Sequence, residues 1–117
     1  DAVATRYGCM VQGATQAALT CLDVLGYLDE IPVCTSYKID GKVTDTFPTT
    51  PSLLQARPVF ERLPGWRCDI RGCTDYSALP ANARAYVDFM ENHIAVPITM
   101  VSTRPKREEI ARRKPKI

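Results

Sequence analysis

No run of roughly eighteen apolar residues occurs in this chain. The best candidate, residues 94–101, is eight long and interrupted by Pro97 and Thr99, so no membrane-spanning helix is expected. Asp1 to Tyr7 lack a basic start followed by an apolar stretch, so nothing reads as a signal peptide and a cytosolic, reducing location is the expectation. Histidine is almost missing, with His93 alone and no partner four residues away. The five cysteines, Cys9, Cys21, Cys34, Cys68 and Cys73, form no C-x-x-C pair, so the chain offers no zinc-binding pattern and its thiols read as small buried hydrophobes. Also absent are a G-x-x-x-x-G-K-S/T phosphate loop, a G-D-E-G-K-G string, and any internal repeat. With 117 residues against roughly 150 for a typical domain, the length predicts one small domain or part of a larger one.

What is present is ordinary for a folded chain, with 45% hydrophobic and 24% charged residues. The charge is unevenly placed. Residues 1–103 hold eight Lys and Arg against eleven Asp and Glu, whereas residues 104–117 hold seven against two. Lys106, Arg107, Arg112, Arg113, Lys114 and Lys116 could grip phosphates, but no aromatic side chain is interleaved to stack on bases. A solvated, flexible basic tail is the simpler expectation, and nucleic acid is not favoured as a partner.

Apolar spacing predicts a helix from Asp1 to Leu19, weakened by Gly8 and Gly13, and then a strand from Ala18 to Leu25 with Asp23 embedded in it. Leu28 to Pro32 reads as a turn or short helical piece. Val33 to Ile39 alternates, and Asp40-Gly41 predicts a hairpin turn into Lys42 to Phe47. Prolines make residues 48–77 mostly loop, with an extended stretch at Pro58 to Leu63. After it, Trp66 is expected to bury its ring and leave its N–H in water.

Leu79-Pro80 opens an apolar-faced helix running to about His93. Val96 to Val101 reads as a strand covered on both faces, as in a parallel sheet, followed by a short charged helix from about Lys106 to Arg113. The fold class expected is α/β. In an open α/β sheet, ligands sit beyond the carboxyl ends of strands, so Asp23 and Ser102 to Pro105 point to one rim. A carboxylate there can accept hydrogen bonds from the N1–H and exocyclic amine of guanine, whereas adenine presents a lone pair at N1. On its own, the same aspartate reads more readily as a structural carboxylate capping a loop.

Four strings in order, ALTCLDVLGYLDEIPVCTSYKIDGKV, PVFERLPGW, LPANARAYVDFMENHIAVPITMVS and TRPKREEI, make residues 1–110 resemble the C-terminal part of adenylosuccinate synthetase. The resemblance implies the last part of a mostly parallel, P-loop-NTPase-like sheet with flanking helices and a β-hairpin, residues 1–117 forming one C-terminal segment. It implies a GTP-dependent ligase, commonly homodimeric and cytoplasmic, that joins IMP to L-aspartate through 6-phosphoryl-IMP with Mg2+. The catalytic groups and the magnesium ligands would lie upstream, so the chain alone is expected to be inactive and to read as a fragment. A fragment of this kind should expose a face that self-associates or binds the remainder.

The resemblance also carries over two guanine-binding motifs. K-L-D falls on Cys21, Leu22 and Asp23, and S-x-G-P falls on Ser102, Thr103, Arg104 and Pro105. Cys21 stands where lysine is expected and cannot cover the base face as a lysine stem would. Arg104 stands where glycine is expected, which would permit a positive φ and a close approach of backbone to base. Arginine would crowd that approach, or its guanidinium could stack on guanine. The competing reading is a non-catalytic interaction or regulatory module that has lost nucleotide binding.

Overall fold

Glycine ends the first helix early. The computed structural model describes residues 1–114. In it α1 spans Ala2–Gln12, opened by the Asp1 carboxylate accepting from Ala4 N–H at 2.9 Å. Gly13, at φ +63°, donates its N–H back to the carbonyls of the last turn, an ending that only a residue without Cβ adopts readily. The expected continuation to Leu19 is therefore replaced by a bend and by strand β1, Ala17–Leu19.

The strand expected from Ala18 to Leu25 is also cut short. Cys21 takes a left-handed φ of +54°, which breaks the extended chain, and Leu22–Leu25 coil into a single 3₁₀ turn. Asp23 therefore sits on a turn just past the end of β1 and is not embedded in a strand. Leu22, wholly buried, pins that turn to the core.

Strand β2 covers Glu30–Ile39 and begins inside the expected turn at 28–32. Pro32 is tolerated because β3, Lys42–Thr44, pairs only with Tyr37 to Ile39, leaving that flank of β2 without a partner strand at Pro32. Asp40 and Gly41 both have positive φ, the signature of a type I′ hairpin turn, and β2 and β3 run antiparallel. The short helix α2, Thr50–Leu53, leads to β4, Arg57–Pro64, which pairs antiparallel along β2 from Lys38↔Arg57 to Glu30↔Pro64.

A second 3₁₀ turn, Tyr76–Ala78, precedes α3, Ala81–Ile94, which ends at Ala95 in the left-handed conformation. Strand β5, Ile98–Ser102, lies parallel to β1, and β6, Ile110–Arg112, returns antiparallel beside β5. The charged helix expected at 106–113 is thus a loop followed by a strand. Ala111 is fully buried there and the backbone of Val101 and Ser102 supplies the pairing edge, so tertiary pairing overrides helix propensity.

The fold is α/β, built on two three-stranded sheets in the orders β1-β5-β6 and β3-β2-β4. Only the β1/β5 pair is parallel among the described residues. The main core gathers Leu22, Ile31, Trp66, Val87, Ile98 and Val101, all buried, between the sheets and α3. No helix of the described residues is long and apolar enough to cross a membrane.

Candidate functional site

Two loops meet where the parallel pair ends. Ser102, the last residue of β5, accepts a hydrogen bond at Oγ from the Cys21 N–H at 2.9 Å, joining two segments separated by 81 positions in sequence. Cys21 and Asp23 thus share a rim with Ser102 and Arg104. This is the position at which open α/β sheets hold ligands.

The members of the two motifs present themselves differently. Asp23 is half-buried, and its Oδ1 is shielded from solvent with no hydrogen-bond partner, one of three such side-chain atoms among the described residues, with Trp66 Nε1 and Glu109 Oε2. Leu22 and Thr103 are wholly buried and offer no side chain outward. The Thr103 hydroxyl donates to the Cys73 carbonyl at 3.1 Å, and its N–H donates to the Glu109 carbonyl at 3.0 Å, fixing the loop between β5 and β6. Arg104 Nη1 lies 3.4 Å from Glu109 Oε1, and its backbone φ is not positive, so this loop does not use the conformation that a glycine would be needed for.

A cleft of about 360 Å³ opens beside this rim, lined by Asp23, Gly26, Tyr27, Arg67, Cys68 and Asp69. Asp69 is held in a fork by the Arg71 guanidinium at 2.6–3.0 Å and also accepts the Arg71 N–H at 2.9 Å. These bonds from Arg71 pull the Asp69 carboxyl down from its ordinary 3.8 to about 2. Both Asp69 and Arg71 remain more than half exposed. The fork therefore sets the local charge pattern more than it sets stability. Residues 67–69 come from more than forty positions downstream of Asp23. No spacing in the sequence announces them, although Pro64-Gly65-Trp66 marks the turn that brings them round.

Trp66 departs from expectation in one respect. Its ring is buried, 8% exposed, but so is its indole N–H, which has no hydrogen-bond partner. His93 lies on α3 with Nδ1 2.9 Å from the Phe89 carbonyl, and its ring stacks on Phe89 at 4.1 Å.

Arg113, grouped by sequence with a phosphate-gripping tail, is committed inward. Its guanidinium pairs with Asp88 and Glu91, donates to the Ile98 carbonyl at 3.1 Å, and lies 5.3 Å from the centre of the Tyr76 ring. Lys116, another of those cations, lies outside the described residues.

The family model for adenylosuccinate synthetase matches residues 1–111. The chain is 46% identical over 111 residues to adenylosuccinate synthetase of Salinibacter ruber, covering 94% of this chain and 25% of that protein. It is 44% identical over 110 residues to that of Aquifex aeolicus, covering 93% of this chain and 26% of the relative. Among solved structures, fully ligated adenylosuccinate synthetase from Plasmodium falciparum superposes with a TM-score of 0.90 at 28% identity, over 97% of this chain and 28% of that one. The chain spans about a quarter of the length of these relatives. With the matching family model and the superposition in agreement, the chain belongs to the adenylosuccinate synthetase family.

Proposed function

We propose that this chain forms the guanine-recognising wall of a GTP-dependent ligase that joins IMP to L-aspartate in purine nucleotide synthesis, in a cytoplasmic homodimer. The observation that carries the reading is Asp23 Oδ1, buried and without a partner on a turn at the carboxyl end of β1. A buried acceptor of this kind costs free energy unless a donor reaches it. Guanine supplies two donors on one edge, N1–H and the exocyclic amine. Adenine turns a lone pair toward the same carboxylate and is repelled.

Ser102, Cys21 and Arg104 complete the proposed contact surface. Leu22 and Thr103 support it from inside the core. Ser102 uses its oxygen to accept from Cys21 N–H and keeps its own proton as a donor for an acceptor such as the guanine oxygen. Where relatives would use lysine, Cys21 contributes its backbone and a short thiol, so base-face contact is smaller.

Binding the guanine end anchors GTP while its γ-phosphoryl group reacts elsewhere, so this chain's role is orientation. Among the described residues no group of three or more His, Cys, Asp or Glu side chains is arranged to hold a metal ion. The family resemblance assigns the magnesium ligands to the part of the enzyme outside this chain.

Substituting Asp23→Asn replaces one carboxylate oxygen by a donor that faces the guanine donors. Titrating the variant with fluorescent GDP and ADP should show the preference for GDP falling by about 10- to 100-fold, toward unity. An unchanged preference would remove Asp23 from the site, whereas no binding of either nucleotide by the unsubstituted chain, alone or mixed with the missing part of a relative, would favour a module that no longer binds nucleotide.

A further inference from the structure

Asp23 stands on a 3₁₀ turn of only four residues, a geometry with few and poorly aligned bonds of its own. Its backbone bonds are Val24 N–H to Cys21 O at 3.3 Å, Gly26 N–H to Asp23 O at 3.0 Å and Leu28 N–H to Leu25 O at 3.1 Å. Orientation of the carboxylate must therefore come from what packs against residues 23–29, and the structure places one loop there, residues 65–68.

The contact is close. A Cβ added at Gly65 would lie 1.9 Å from the Leu28 carbonyl oxygen, and one at Gly26 would lie 3.1 Å from the Cys68 carbonyl and 3.3 Å from Trp66 Nε1. Gly65 N–H donates to Asp29 O at 2.8 Å, and Asn82 Nδ2 on α3 donates to Gly65 O at 2.9 Å, so the loop itself is tied to the helix. Arg67 reaches across. Its Nη1 donates to the Tyr27 carbonyl at 2.6 Å and lies 3.3 Å from Asp29 Oδ1. Its backbone is held at φ +48°, a conformation that a non-glycine residue keeps only where its surroundings impose it. Arg67 and Asp23 line the same cleft.

We infer that Arg67 is a positioning residue that clamps the Asp23 turn against the 65–68 loop and thereby sharpens base discrimination. The specificity part of this inference rests on the guanine reading above; the clamp itself does not. Because the Arg67–Asp29 pair is exposed, it contributes little to stability, yet a recognition group must be held within about 0.5 Å to discriminate. Stability and specificity should therefore separate on substitution.

The test uses the 117-residue chain with Arg67→Gly, which suits the left-handed φ, and Arg67→Lys, which keeps the charge without the planar fork. Three readouts are compared: thermal unfolding, amide exchange at Val24, Gly26 and Leu28, and affinity for fluorescent GDP and ADP. The Gly variant should keep its melting temperature within about 3 °C. It should speed exchange at those amides and lose GDP affinity about tenfold with ADP affinity unchanged. The Lys variant should restore part of the loss.

Unchanged exchange would overturn the clamp. An equal loss for GDP and ADP would overturn the specificity role and make Arg67 a direct contact to ribose or phosphate. An unsubstituted chain that shows no preference for GDP over ADP, both alone and after mixing with the N-terminal three-quarters of a relative, would overturn the guanine reading and the specificity role, and the exchange rates would still decide the clamp.

Discussion

Charge at the rim is decided residue by residue. Asp69 and Arg71 hold each other in a fork at the edge of the cleft, and Asp69 gains from the charged form of its own carboxyl. A carboxyl whose pKa is lower in the folded chain favours folding above its unfolded pKa, and that contribution fades as the pH falls through the folded value. For Asp69 the window runs from 3.8 down to about 2. A titration of side-chain carboxyl resonances should find Asp69 with a midpoint near 2, rising toward 3.8 in the Arg71→Ala variant. A midpoint at the ordinary value in the unsubstituted chain would contradict the fork.

At the scale of elements, the β5–β6 pair frames the loop carrying Thr103 and Arg104, and Arg113 anchors its far end. The Arg113 side chain is 6% exposed and that of Glu91 8%, and Glu91 also accepts the Ile98 N–H at 2.8 Å. Helix, strand and terminal segment are thereby locked together. Arg113→Ala withdraws the guanidinium from the buried Glu91 carboxylate and the partly exposed Asp88 carboxylate and should destabilise the chain by about 3 kcal/mol in denaturant unfolding. Arg6→Ala breaks a 4.0 Å surface pair with Asp45 and should change stability by less than about 0.5 kcal/mol. Similar costs for the two would contradict the assignment of Arg113 as an anchor.

The elements also show what could be read from sequence. Asp40-Gly41 and the apolar face of α3 are local signals, and the hairpin and the helix at Ala81–Ile94 lie where those signals put them. Helix α1, β1 and the 3₁₀ turn differ because their limits depend on single backbone conformations, Gly13 and Cys21 at positive φ, that hydrophobic periodicity does not encode. Strand β6 differs because its partner edge exists only after β5 is in place. For the candidate site, Asp23 and Ser102 were legible as rim residues. Their link through Cys21 N–H, and the cleft lining supplied by residues 67–69, are products of long-range packing.

Over the whole molecule, apolar surface remains in view. Tyr7, Met10 and Val11, spaced to share one side of α1, are 42%, 69% and 64% exposed, and Phe60 on β4 is 51% exposed. Such a surface is of the kind that marks an interaction site, and the relatives are about four times the length of this chain. As proposed above, this chain supplies a guanine-selective wall. That selectivity is tested most directly by titrating the 117-residue chain with fluorescent GDP and ADP, alone and after mixing with the N-terminal three-quarters of a relative. GDP-selective binding that appears or tightens on mixing is the predicted result. A folded chain that binds neither nucleotide under either condition, or binds both equally, would contradict it.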